Sequence, residues 1–584
     1  KYINRLRDEL GDVYITVEKI LELREDLPLT WKIQGSSGYE FLNYVNNIFC
    51  CQKNEDIFTQ IYDRFSNLQV DYESLVYEKK SLILETNLAG DLDNLTQILE
   101  TIAAKTIEAR DFTIYGLKQA LFAVLGFFPI YRTYVDSTEI AEVDRKYASE
   151  AISKVKNHFP LLANEVDFIG KLLLLDYPES LSQKEQEEWL HFVKRSQQLT
   201  GPLMAKGVED TLLYVYNRLL SLNEVGGNPS IFGIDLDLFH QFNQNKTQNF
   251  PHGMNATATH DTKRGEDVRA RLNVLSEIPQ EWEQQVNEWR EINQVHKQEG
   301  IPDANDEYFL YQTILGAFPF LESELSDFTT RIKDYILKAI REAKINTDWL
   351  RPNQQYEQAF FSFIDRVLAE KESQFWNKFP PFQKQIAEYG IYNSLAQVLI
   401  KNTAPGVPDL YQGSELWELS LVDPDNRRPV DYQKRRDFLK EIQVKSQQNI
   451  LELIKDLIAT KEDGKIKLFL IHQLLKARKE YATVFEKGDY QPIEVKGKYQ
   501  NHVIAFARNY GETTIIAIAP RFLTTIVKPG QLPLGAEVWE DTHLNLPDRH
   551  CKNAIDGQAI AGENLALKEI LLNFPVALLV QSKD

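Results

Sequence analysis

A strand-to-helix junction at residues 255–271 limits what this chain can fold into more than any other stretch. It reads Asn-Ala-Thr-Ala-Thr-His-Asp-Thr-Lys-Arg-Gly-Glu-Asp-Val-Arg-Ala-Arg. A short β-prone run delivers His260 and Asp261 to its end, and a helix follows at once with Glu266 and Asp267 in its first turn, where acidic side chains complement the helix dipole. In parallel α/β folds the carboxyl ends of the strands face the ligand, so a His-Asp pair placed there can reach a substrate. From this stretch alone the plainer use of the same residues is favoured, with Asp261 or Thr262 capping the helix.

Other strand-like runs end in the same way. Residues 12–17, Asp-Val-Tyr-Ile-Thr-Val, are β-branched or aromatic on both faces, as in a strand buried on both sides, and Glu18 ends the run. Gly35 and Gly38 then suit a loop that bends sharply beside that strand end, as a substrate lid or an ordinary connection. At Gly201-Pro-Leu-Met-Ala-Lys-Gly-Val-Glu-Asp a strand pattern returns and ends in Lys206, Glu209 and Asp210, with a helix expected over 211–222. Ala404-Pro-Gly-Val-Pro-Asp-Leu-Tyr-Gln-Gly-Ser-Glu gives a further short strand that ends in Gln412 and Glu415. Long helical stretches separate these runs. Near the carboxyl terminus, runs 503–508 and 513–519 flank the turn Asn509-Tyr-Gly, which is an antiparallel pattern. The chain therefore reads as α/β: part of a (β/α)8 TIM barrel with large helical insertions and a C-terminal antiparallel β domain.

Composition narrows the chemistry. A net charge of -19 and a pI near 5.2 repel polyanions, so nucleic acid is excluded as a partner. The three cysteines include the adjacent Cys50 and Cys51 and show no disulfide or metal-ligand spacing, which points to a reducing, cytoplasmic setting. The most apolar run, 121–130, contains Gly126 and Pro129 and falls short of the roughly 20 residues a membrane helix needs, so no membrane partner is expected. The sequence has no Gly-x-x-x-x-Gly-Lys-Ser/Thr loop, His-Glu-x-x-His pair, Cys-x-x-Cys pair or Gly-x-Ser-x-Gly elbow. What remains is carboxylate chemistry. Retaining glycoside transfer needs an acid that protonates the leaving oxygen and a carboxylate about 5–5.5 Å away, and Glu18 and Asp261 are the strand-end carboxylates to consider.

Six motifs in order carry a resemblance. They are Val17-Glu-Lys-Ile-Leu, Gly35-Ser-Ser-Gly-Tyr, Phe128-Pro-Ile-Tyr-Arg-Thr-Tyr, Ala205-Lys-Gly-Val-Glu-Asp-Thr, Ala258-Thr-His-Asp-Thr-Lys-Arg-Gly-Glu-Asp and Leu421-Val-Asp-Pro-Asp-Asn-Arg-Arg-Pro-Val-Asp. Together they resemble the maltooligosyltrehalose synthase family, intramolecular glucosylmutases of the α-amylase family, over nearly the whole chain. The resemblance implies that Glu18, after the fifth barrel strand, is the general acid/base. It implies that Asp261, after the seventh, is a third carboxylate that stabilises an oxocarbenium-like sugar. His260 would hydrogen-bond the same sugar. Tyr39, Lys206, Glu209, Asp210, Lys263, Arg264 and Gln412 are candidate sugar contacts, each with a structural use also open, and Arg427 and Arg428 would fix a turn.

The implied domains are 1–49 for the strand 5 region, 50–200 for a helical insertion and 201–279 for strands 6 and 7. A second helical insertion at 280–401, the strand 8 region with following helices at 402–485, and the β domain at 486–584 complete the chain. The implied reaction moves the reducing-end α-1,4 linkage of a maltooligosaccharide to an α,α-1,1 linkage by retaining double displacement. No cofactor or metal is required, and maltooligosyltrehalose hydrolase is the implied functional partner. One departure stands out: the family's nucleophilic aspartate, in an Arg-x-Asp-x-x-x-His-like motif, has no counterpart in the sequence. The expectation is a C-terminal portion whose first half-barrel, with the nucleophile, lies upstream of Lys1 and acts in cis or in trans. An α-glucan hydrolase of the same superfamily and a non-catalytic glucan-binding fragment are the alternatives.

Overall fold

The parallel pairing of the chain rests on four very short strands: β1 (Thr16–Val17), β2 (Gly35–Ser36), β3 (Met254–Asn255) and β4 (Val407–Pro408). The computed structural model describes residues 2–69, 71–137, 139–369, 373–547 and 549–581. β1 pairs with β2 in parallel, Thr16 opposite Gly35, and β3 pairs with β4 in parallel, Met254 opposite Val407. The two pairs adjoin through glycines. A Cβ on Gly35 would lie 2.5 Å from the Cα of Gly253, and one on Gly38 would lie 2.7 Å from the Met254 carbonyl oxygen. Gly38 also has φ of 98°, which side-chain-bearing residues rarely adopt, so the bend and the close approach both require glycine. The stretch Gly35-Ser-Ser-Gly is thus a strand and a helix entry.

Two compact units emerge, one of Lys1–Leu68, Asn217–Ile340 and Arg351–Asp584, the other of Gln69–Tyr216 with Arg341–Leu350. In the first, the helix Glu266–Asn273 is buried along its whole length. Its N-cap is Gly265, with no side-chain cap, so Asp261 and Thr262 do not serve that purpose. Thr262 instead turns its hydroxyl to the Thr259 carbonyl at 2.8 Å. Burying the acidic first turn requires internal counter-ions. Lys401 lies 3.1 Å and Lys467 2.6 Å from Glu266, and Lys467 lies 2.7 Å from Asp267. Burial opposes ionisation of Glu266, but the two ammonium groups outweigh it and hold the carboxyl well below its usual range.

The same unit contains β5 (Gln491–Pro492), β6 (Val495–Lys496), β7 (Val503–Tyr510), β8 (Thr513–Pro520), β9 (His543–Leu544), β10 (Arg549–Asn553), β11 (Ala559–Gly562) and β12 (Ala577–Gln581). Six of them form an antiparallel sheet in the order β11-β10-β12-β8-β7-β5, while β6 and β9 pair separately. Tyr510 pairs with Thr513, so the hairpin turns at Gly511-Glu512 and Asn509 belongs to the ladder rather than the turn. Arg508, 2% exposed, ties the sheet to the helix Gln374–Thr403 by donating to the Thr403 carbonyl at 3.2 Å.

The second unit is helical: Tyr72–Glu85, Ala89–Ala103, Ile114–Gly126, Glu142–His158, Ala163–Leu173 and Gln183–Met204 enclose a core that includes Leu99, Leu117, Phe192 and Leu203. The strand expected from Gly201 is absent. A capping box of Ser182 and Glu185 starts a 22-residue helix that runs through Gly201 and Pro202 and then opens into a π-turn at Ala205–Glu209. The Asp210 N–H closes that turn on the Ala205 carbonyl at 2.9 Å. Burial of Leu199, Leu203 and Met204 on this helix prevails over the local Gly-Pro signal for a break. The helix expected over 211–222 is likewise replaced by two short 3-10 turns, Leu212–Tyr214 and Leu220–Leu222.

Candidate active site

The candidate site is built where β1 and β3 end. Glu18 follows β1 directly and is exposed, and its neighbour Lys19 points inward to a buried ion pair with Glu25. Beyond β3 the chain bends at Thr257, runs past buried Ala256 and Ala258 and then surfaces at His260 and Asp261. Those two side chains touch, Nε2 to Oδ2 at 3.3 Å, and are 76% and 50% exposed, so both remain open to a ligand. Asn426 donates to the His260 carbonyl at 2.7 Å and holds the tip of the loop.

Tyr39 links the two strand ends. It is 3% exposed, its hydroxyl lies 3.1 Å from the Thr259 hydroxyl, and its pKa is raised. Burial is the main cause of that rise, and the negative charges of Asp261, Glu18 and Glu224 add to it. The Tyr39 hydroxyl is thus held against the loop that carries His260 and Asp261. Tyr411 is raised in the same manner, by burial and then by the charges of Glu418 and Asp261, and it shares a side-chain hydrogen bond with Gln412. Exposed Gln412 and Tyr411 line a cavity of about 410 Å³ together with Trp417, Asn426 and Arg428. Through Asn426 this cavity adjoins the His260 loop.

Beneath the loop lies a carboxylate that sequence reasoning missed. Glu224 is fully buried and accepts from the N–H groups of Val225 at 2.9 Å, Lys263 at 2.6 Å and Arg264 at 3.3 Å, and from the Arg269 guanidinium at 2.9 Å. It fixes the backbone two residues beyond Asp261. The one local signal was the cluster Arg264, Arg269 and Arg271 around a buried helix, since internal guanidinium groups require internal acceptors. Of the expected sugar contacts, Arg264 is 1% exposed and donates to the Asn223 carbonyl and the Tyr335 hydroxyl, both at 3.2 Å, and Lys263 is buried beside it. Arg427 and Arg428 pair with Asp423 and Asp425 in their own turn.

Lys206, Glu209 and Asp210 lie in the helical unit, in and just after the π-turn. Lys206 pairs with Asp210 at 2.7 Å, and the Tyr131 hydroxyl donates to Glu209. Such turns recur at functional positions because they displace side chains from the regular helical face. Tyr131 belongs to the Phe128-Pro-Ile-Tyr-Arg-Thr-Tyr motif, so two of the sequence motifs meet here. Among the described residues, no group of three or more His, Cys, Asp or Glu side chains is placed to hold a metal ion. All three cysteines are buried and outside any disulfide.

No protein-family model matches the chain. A Mycobacterium tuberculosis protein that carries the name maltooligosyl trehalose synthase is 31% identical over 582 residues, which are 99% of this chain and 67% of that protein. The chain belongs to the maltooligosyltrehalose synthase family. Solved structures agree. The Arthrobacter ramosus maltooligosyltrehalose synthase superposes with a TM-score of 0.82 at 29% identity, covering 100% of this chain and 68% of its own. A Sulfolobus tokodaii family structure gives 0.72 at 30% identity, with 99% and 67% covered. No helix of the described residues is long and apolar enough to cross a membrane.

Proposed function

We propose that this chain carries the acid/base and electrostatic half of a trehalose-forming transglycosylase acting on maltooligosaccharides. The observation that supports the proposal is that Glu18 directly follows β1 while Tyr39, just after β2, hydrogen-bonds Thr259 in the loop that carries His260 and Asp261 beyond β3, with β1–β2 and β3–β4 each paired in parallel. The four parallel strands are read as the second half of a (β/α)8 barrel, whose ligands bind at the carboxyl ends of the strands. Glu18 donates its proton to the departing glycosidic oxygen while a carboxylate nucleophile bonds to the anomeric carbon. That nucleophile comes from the third of the relatives' length that this chain does not match. The released glucose stays bound. Its anomeric hydroxyl returns a proton to Glu18 and attacks the glycosyl carbon, which breaks the enzyme ester and forms the α,α-1,1 bond. Two inversions retain the α configuration, and no water is consumed.

Asp261 stabilises the positive charge that develops on the sugar, and His260, Tyr39 and Gln412 hold its hydroxyl groups. Lys206, Glu209 and Asp210 form a separate candidate sugar-contact cluster within the helical unit. Arg264 and Lys263 support the loop through Glu224. The α-glucan is drawn along the cavity beside Tyr411 and Trp417.

The test is maltopentaose incubated with the chain, alone and co-expressed with the unmatched segment of a relative, with reducing ends and chain length followed together. Loss of reducing ends without shortening supports the proposal. A gain of reducing ends indicates an α-glucan hydrolase, and an unchanged substrate in both arms indicates a glucan-binding fragment.

A further inference from the structure

A cleft of about 850 Å³, within the roughly 300–1,000 Å³ typical of small-molecule sites, opens where the helices Tyr432–Gln448 and Lys465–Glu480 meet β10 and β12. It shares no lining residue with the cavity beside His260. One helix contributes Gln443 and Gln447, a turn apart, and the other contributes Gln473, which is 7% exposed. β10 ends there in Asn553, which is 1% exposed. The Asn553 Oδ1 accepts from the N–H groups of Ile555 at 3.1 Å and Leu578 at 3.4 Å, which fixes the amide orientation. Its Nδ2 is buried and has no partner in the protein. A buried donor calls for an acceptor, and Asn553 lines the wall of the cleft. At the rim, Gly557 takes a left-handed turn, φ 80°, with no atom within 4 Å of where a Cβ would sit, and the cleft stays open there.

The lining identifies the class of ligand. Four amides, the His472 imidazole, the Tyr481 phenol and the Ser446 hydroxyl, which donates to the Ile442 carbonyl at 2.7 Å, form its polar surface, while the cations of Lys476 and Lys552 are accompanied by Glu480. Side-chain amides offer a donor and an acceptor together and match vicinal hydroxyl groups, whereas an anion site would concentrate cations. We infer that this cleft is a second glucan-binding site, which holds a neutral α-1,4-glucan segment apart from the strand-end carboxylates. The choice of an α-glucan as occupant rests on the activity proposed above.

Hydrogen exchange of the full chain with maltoheptaose tests this. Slowed exchange is expected in 443–450, 472–481 and 552–557, with a midpoint moved at least fivefold higher in a Gln443→Ala, Gln447→Ala double variant, whose two sites are exposed. Glu18→Gln and Asp261→Asn should leave that protection intact. Protection of the cleft without trehalose-forming activity in the chain co-expressed with the unmatched segment of a relative would sink the catalytic proposal and leave this one standing. Unchanged exchange at these segments, protection by inorganic phosphate instead of maltoheptaose, or an unaltered midpoint in the double variant would overturn the second site.

Discussion

Replacing Glu224 by Gln isolates the support beneath the His260–Asp261 loop. The carboxylate offers one oxygen to the Val225 and Lys263 N–H groups and the other to the Arg264 N–H and the Arg269 guanidinium. Glutamine fills the same volume but turns one of these acceptors into a donor, so in either orientation two donors face an N–H group. Arg269, 1% exposed, also loses its counter-ion and keeps only carbonyl acceptors from Arg264 and Thr257. Removing one partner from a buried ion pair costs about 3–5 kcal/mol. At the low end of about 2 °C per kcal/mol, suited to large chains, the melting temperature should fall by roughly 6–10 °C. Differential scanning calorimetry of Glu224→Gln measures this, and the double variant with Arg269→Met should recover part of the loss because no unpaired charge remains. Glucan binding should weaken in the single variant, since Lys263 and Arg264 anchor the loop that ends in Asp261. A melting temperature within about 1 °C of the parent would refute the assignment of Glu224 as its anchor.

Further outcomes follow from other sites. Glu18→Gln should abolish trehalose formation in the complemented chain with a stability change of less than about 0.5 kcal/mol, since Glu18 is exposed, and circular dichroism melts together with the reducing-end assay check both. Glu277 accepts from the Thr524 hydroxyl and N–H, and burial pushes its carboxyl up to about 7. The folded state therefore holds a proton that the unfolded chain releases above about pH 4.5, and the associated stability is present below that pH and lost as pH rises through about 7. Relative to Glu277→Gln, the parent should lose up to about 3 kcal/mol across this window in denaturant unfolding, and a pH-independent gap would contradict a raised pKa for this half-buried acid. Gly38→Ala should destabilise by about 1–3 kcal/mol, read in the same unfolding experiment, because its φ is strained for alanine and the new Cβ meets the Met254 carbonyl.

Glu18 was legible because it directly follows the β-branched end of β1, whereas Asp261, expected at a strand end, lies in a loop beyond the end of β3 at Asn255. The helix after Gly265 and the antiparallel β7–β8 hairpin were legible for the same local reasons. Other features depend on contacts distant in sequence. Glu224 has no local pattern, and its partner Arg269 lies 45 residues on. Gly201-Pro202 carries a strong break signal, yet the apolar face of the helix around it is buried and the helix continues into a π-turn. The four parallel strands are only two residues each, too short for alternation to mark their ends. Arg264 resembled a ligand contact by type and position, but its guanidinium is spent on Asn223 and Tyr335.

The central claim is that Glu18 transfers the proton in a trehalose-forming exchange. Its most direct measurement is maltopentaose turnover by the chain co-expressed with the unmatched segment of a relative, run side by side for the parent and for the Glu18→Gln variant. The account predicts that the parent removes reducing ends while chain length is kept, and that the variant shows no loss of reducing ends. A rise in reducing ends, or trehalose formation that survives Glu18→Gln, would contradict it.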